Sequence, residues 1–75
     1  MTIFKIFVDF QNTDKHGRVR LNTNGTYKDI ERLQITLEEN MQLILDDNDS
    51  LTTTGLVKYS HEEKIWVAEI DWKTF

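Results

Sequence analysis

Asp46, Asp47 and Asp49 place three carboxylates within four positions of the run Asp46-Asp47-Asn48-Asp49-Ser50. Several oxygen ligands at close spacing are what a hard cation such as calcium requires. A calcium loop started at Asp46 would, however, put Leu51 where glycine is needed and Val57 where the bidentate glutamate belongs. The run is therefore read as a solvated turn between strands, the ordinary use of Asp, Asn and Ser. Its like-charge repulsion would be relieved by an incoming cation. That makes Asp46, Asp47 and Asp49 the candidate partner-binding residues, and a basic segment of another protein their complement.

Other reactive side chains are sparse. His16 and His61 fall in separate polar stretches, and only His61 has acidic neighbours, Glu62 and Glu63, so three or four convergent metal ligands are not in sight. With no cysteine, a hydrolytic nucleophile would have to be Ser50 or Ser60, and neither lies in a strained Gly-x-Ser-x-Gly turn. No glycine-rich loop offers to cradle phosphate. The expectation is a protein with no catalytic residue, no cofactor and no metal.

Two patterns bear on nucleic acid. Phe4, Phe7, Phe10, Tyr59, Trp66 and Trp72 could stack on bases, as single-strand binders do. Lys15, Arg18 and Arg20 gather basic charge near the first strands, but Asp9 and Asp14 interleave with them. With a net charge of -4 the chain as a whole repels a phosphate backbone, whose binding comes from lysine and arginine displacing counterions. The aromatic set is assigned to the core, Trp66 and Tyr59 above all, with Trp72 less committed because of its place near the chain's last residues.

The elements that must position these residues follow from composition. In 75 residues without cysteine or proline, 39% are hydrophobic, which suits one small domain, 1–75, held by packing alone. Twenty residues are Val, Ile or Thr against one alanine, Ala68, and β-branched side chains suit pleated surfaces. Apolar residues alternate at Phe4, Ile6, Val8 and Phe10, at Leu33, Ile35 and Leu37, at Met41, Leu43 and Leu45, and at Trp66, Ala68, Ile70 and Trp72. No sustained helical period stands out. The N-terminal run is too short for a signal peptide and no stretch matches a membrane span, so the cytoplasm is the default compartment.

Register follows from matching apolar faces. The first hairpin sets Phe10 opposite Val19 and Val8 opposite Leu21, with Asp9 paired to Arg20. A second, turning at Glu38-Glu39-Asn40, sets Leu37 against Met41, Ile35 against Leu43 and Leu33 against Leu45, with Asn40 in the left-handed region. A third, turning at His61-Glu62-Glu63-Lys64, sets Tyr59 opposite Trp66 and Val57 opposite Ala68, with Thr53 near Trp72. Between the first two, Asn24-Gly25 signals a tight turn, and Asp29 could cap a single helical turn ending near Arg32. The predicted fold is all-β: a small SH3-like barrel, or a strongly curled antiparallel sheet of five to six strands.

The segment Leu37-Glu38-Glu39-Asn40-Met41-Gln42-Leu43-Ile44-Leu45-Asp46-Asp47 resembles the strand-turn-strand of small bacterial SH3-like barrels, with Asn40 where glycine is usual. The closing stretch from Gly55 to Trp72 resembles the terminal hairpin of the same kind of protein. The resemblance covers under half of the chain. It implies a fold and brings no catalytic or binding residue with it. In SH3-like barrels ligands commonly lie between the first hairpin loop and the loop after the central hairpin, here residues 11–17 and 46–50.

The function expected is thus non-enzymatic: a small β module, monomeric or weakly dimeric, that mediates a protein–protein interaction, with an RNA-binding barrel as the alternative. A continuous basic stripe would favour RNA, and a pocket of mutually close titrating groups would favour an enzyme.

Overall fold

Alternating side chains commit the even-numbered residues of the first strand to one side, and in the computed structural model, which describes residues 3–74, that side is the core: Ile6, Val8 and Phe10 are buried. The elements run β1 (Lys5–Phe7), β2 (Val19–Arg20), α1 (Asn24–Arg32), β3 (Gln42–Asp46), β4 (Thr52–Ser60), β5 (Ile65–Glu69) and a closing 3-10 turn, Trp72–Thr74. The five strands form one strongly curled sheet, a half-barrel in the order β1-β3-β4-β5-β2. Its concave face closes over Ile6, Val8, Val19, Leu21, Leu43, Leu45, Val57 and Ala68. Met1 and Thr2 of the N-terminal run, and Phe75, lie outside the described residues.

The terminal hairpin has the register that its apolar pattern predicts, with Tyr59 opposite Trp66 and Val57 opposite Ala68. Its turn closes through the amide of Lys64 donating to the carbonyl of Ser60 at 2.6 Å, with Lys64 at φ 58°. The ladder stops at Glu69, so it does not extend to Thr53 and Trp72. Trp72 turns instead to Gly17, whose carbonyl accepts from the indole N–H at 2.7 Å. Trp66 and Tyr59 are half-buried rather than enclosed, and their rings meet edge to face at 5.0 Å. Asn40 takes the left-handed conformation expected of it, φ 65°.

The first hairpin is corrected. β1 does not pair with β2. It lies parallel to β3, Lys5 opposite Ile44 and Phe7 opposite Asp46, while β2 pairs with β5, Val19 opposite Ala68. The chain that doubles back on β2 is residues 12–14: Thr13 bridges Val19, and the Arg20 amide donates to the Asn12 carbonyl. The reason is Asp14. Its carboxylate accepts from the amides of His16 and Arg18 and from the Arg18 side chain, all at 2.9 Å, and this fixes a tighter loop than the apolar match demanded. Arg20 therefore reaches Glu63 and Asn12, and the predicted Asp9–Arg20 pair does not form.

The second hairpin is corrected too, since the partner of β3 is β4, with Gln42 opposite Leu56 and Leu45 opposite Thr53. Leu33, Ile35 and Leu37 do point inward alternately, but they belong to a connector, not a ladder. Gln34 at φ 56° ends the preceding helix: its amide bonds to the Glu31 carbonyl and that of Ile35 to Ile30, a Schellman closure built without glycine. That helix is nine residues long instead of one turn, and Asn24-Gly25 is its first turn rather than a hairpin bend. Thr23 is the cap, its hydroxyl accepting from the Thr26 amide at 3.2 Å. Asp29 does not cap. It lies within α1 and takes the amide of Phe7.

Candidate docking face

On the convex side of the sheet the side chains that alternate away from the core form rows across the strands. Gln42, Leu56 and Glu69 are one such row, each directly opposite the next. Leu56 is 40% exposed at the middle of the sheet's longest strand, where threonine, lysine or glutamate would be ordinary. It is also shared by two open cavities. The larger, about 570 Å³, lies between Leu56, Met41 and Ile3 and is rimmed by Glu38 and Glu39. The smaller, about 300 Å³, lies between Leu56 and Ile70 and is rimmed by Glu69 and Asp71.

The charge of this face is one-sided. Four carboxylates line the two cavities, and no lysine, arginine or histidine does. Some of these groups also hold the backbone: Glu39 accepts from the Tyr59 amide at 2.9 Å, and Asp71 from the Lys73 amide at 3.0 Å. The neighbouring cation, Lys58, is turned to the Asn40 side-chain carbonyl. Exposed Leu56 and Ile3, with Met41 and Ile70 packed partly into the core beside them, make an apolar strip between acidic margins.

The residues singled out by sequence lie elsewhere, in the β3–β4 loop. Asp46 is half-buried, accepting from the Asn48 amide at 3.0 Å and the Thr52 hydroxyl at 3.3 Å, with Lys5 Nζ 3.8 Å away. Asp47 accepts from the amides of Asp49, Ser50 and Leu51 through one oxygen. These donors, that of Asp49 foremost, hold its carboxyl below the usual carboxylate range. Two of the three carboxylates thus organise the loop that carries them, and Asp49 faces solvent. Among the described residues no group of three His, Asp or Glu side chains stands close enough to hold a metal ion.

His16 and His61 are exposed in separate loops, and the His61 ring meets Tyr59 edge-on at 5.0 Å. Ser60 is buried, its hydroxyl accepting from the Glu63 amide at 3.2 Å, which is a turn contact. Every basic residue of the suspected patch has an acidic partner. Lys15 meets Glu62 at 2.8 Å, Arg18 meets Asp14 at 2.9 Å, and Arg20 meets Glu63 through both oxygens at 2.8 Å. The contact with Glu62 raises the Lys15 ammonium, and that with Arg20 lowers the Glu63 carboxyl.

Sequence reasoning missed Leu56, Asp14 and Thr26. Asp14-x-x-Gly17 is a turn signature that could have revealed the first loop, and Gly17 does adopt φ 79°. Leu56 was available from the last hairpin's register, which turns Val57 inward opposite Ala68 and therefore Leu56 outward. The helix among the described residues is not long and apolar enough to cross a membrane. Compared with family models, with curated proteins and with solved structures, the chain matches none of them.

Proposed function

We propose that this chain is a non-enzymatic interaction module that binds a partner protein through the convex face centred on Leu56. The observation that carries the reading is that single leucine: it is 40% exposed in mid-sheet and common to both cavities. Aliphatic surface held open by rigid strands, with polar margins, is what a docking hot spot requires. RNA binding has less support, since Lys15, Arg18 and Arg20 are each neutralised by a carboxylate. The Asp46–Asp49 loop is a weaker docking candidate than Leu56, because Asp46 and Asp47 are engaged by the loop's own donors.

The test is selection of a displayed random-peptide library against the intact chain, followed by counter-selection with Leu56→Ser. Peptides that bind the parent and not the variant are expected. Ligands indifferent to Leu56→Ser would remove this face, and micromolar binding of single-stranded RNA that weakens with salt would replace the reading with its rival.

A further inference from the structure

Taking the Leu56 face as a docking surface, we infer that its occupant is an extended segment of a partner protein with one aliphatic side chain flanked on both sides by lysine or arginine. The inference rests on how charge is distributed around the two cavities. Glu38 and Glu39 close one end of the strip, Glu69 and Asp71 the other, and the residues between them are apolar or uncharged. Glu69 stands directly across one strand spacing from Leu56, about 5 Å. An extended chain advances about 3.3 Å per residue, so cations two or three positions either side of the anchor reach the two margins.

The same charges exclude other occupants. A second copy of the chain would bring a matching set of carboxylates and a net charge of -4 against this one. A nucleic acid or an anionic membrane would be repelled by both margins. A purely apolar segment would fill the cavities but weaken the hydration of Glu38, Glu39 and Glu69 without bringing them a cation. An aliphatic residue between basic ones satisfies both the strip and its margins.

The experiment is an NMR titration of the isotopically labelled chain with three capped heptapeptides. Lys-Lys-Ser-Leu-Ser-Lys-Lys is the expected ligand, its leucine-to-serine version tests charge without the anchor, and its lysine-to-glutamate version keeps the anchor with the charge reversed. The first should bind with a dissociation constant below about 1 mM, shifting Leu56, Gln42 and Glu69, and the other two at least about tenfold more weakly. The combined variant Glu38→Gln, Glu39→Gln, Glu69→Gln and Asp71→Asn keeps one acceptor oxygen on each side chain while removing four charges. It should weaken the first peptide about tenfold and flatten its salt dependence. Equal binding of the serine or glutamate version, or indifference of the combined variant, would overturn the inference. If none of the three binds while library-selected ligands still depend on Leu56, the basic-flanked occupant is wrong and the docking face stands. If selected ligands ignore Leu56→Ser, the face itself falls.

Discussion

The amide of Phe7 donates to the carboxylate of Asp29 at 2.8 Å, and one turn earlier in the same helix the Thr26 hydroxyl donates to the Phe7 carbonyl at 2.7 Å. Both backbone groups that Phe7 turns away from the sheet are thereby taken by α1. An edge strand is a template for unwanted pairing unless something covers it, and the helix lies where a sixth strand would otherwise join. Thr26 is fully buried, and its contact with Thr23 at 2.6 Å orients both hydroxyls, since its own proton goes to Phe7. Thr26→Val keeps the shape and removes the donor, leaving a carbonyl unsatisfied. We expect a loss of about 1 to 3 kcal/mol in urea unfolding, together with concentration-dependent association absent from the parent. A variant as stable and as monodisperse as the parent would mean that the cap contributes nothing.

Gly25→Ala tests the same junction from the other side. Alanine is worth about 1 kcal/mol over glycine within a helix. A Cβ at this position would nevertheless lie 2.6 Å from the Phe7 ring, at an atom close to the ring's root. The expected outcome is net destabilisation despite the better helix former. Stabilisation would show that the Phe7 ring moves freely.

Acid should weaken the fold through Asp14. Burial opposes its ionisation, but the Arg18 and His16 amides and the Arg18 guanidinium outweigh burial and leave the carboxyl below its usual range. A lowered folded value means that the stabilisation is complete above the unfolded carboxylate range, near pH 4, and drains away as pH falls toward the folded value. Thermal unfolding from pH 7 to pH 2.5 should therefore show Asp14→Asn well below the parent at neutral pH, with the gap closing under acid. A constant gap would assign the loss to packing.

Trp66→Ala should cost about 2 kcal/mol, less than the 3 to 5 typical of an enclosed tryptophan, because the ring is only half-buried. Tyr59→Leu should recover none of it, since the edge-to-face contact involves both rings. Guanidinium titrations of the two single variants and the double variant measure the coupling. Strict additivity would mean that the rings do not interact.

What the sequence disclosed and what it hid divide along a physical line. The β4–β5 hairpin was legible because its turn, its register and its apolar face are all local, so Tyr59 and Trp66 could be matched directly. The pairing of β1 with β3 was not. It joins segments separated by a helix, and the apolar set of Phe4, Ile6 and Val8 fits β2 and β3 equally well. Helix α1 was obscured because its inward face is carried by Thr26, Ile30 and Leu33, of which the first is polar, and because its C-terminal closure uses Gln34 in place of glycine. For the candidate site, the acidic run at 46–50 was visible by composition alone. Leu56 is conspicuous only by where the pleat aims it.

The parallel seating of Lys5 against Ile44, together with Val19 against Ala68, makes both outer strands depend on partners distant in sequence. On the ribosome, residues 3–36 emerge with their apolar stripe complete and no strand to receive it. The β3–β4–β5 meander can close from local contacts as soon as it appears, and β1 and β2 then dock onto its opposite margins. Such long-range closures slow folding, and they leave Ile6, Val8 and Phe10 open to chaperones or to aggregation until the last strand is made. Moving β1 to follow β5 by circular permutation would shift this exposure to the end of synthesis, and refolding rate would report the change.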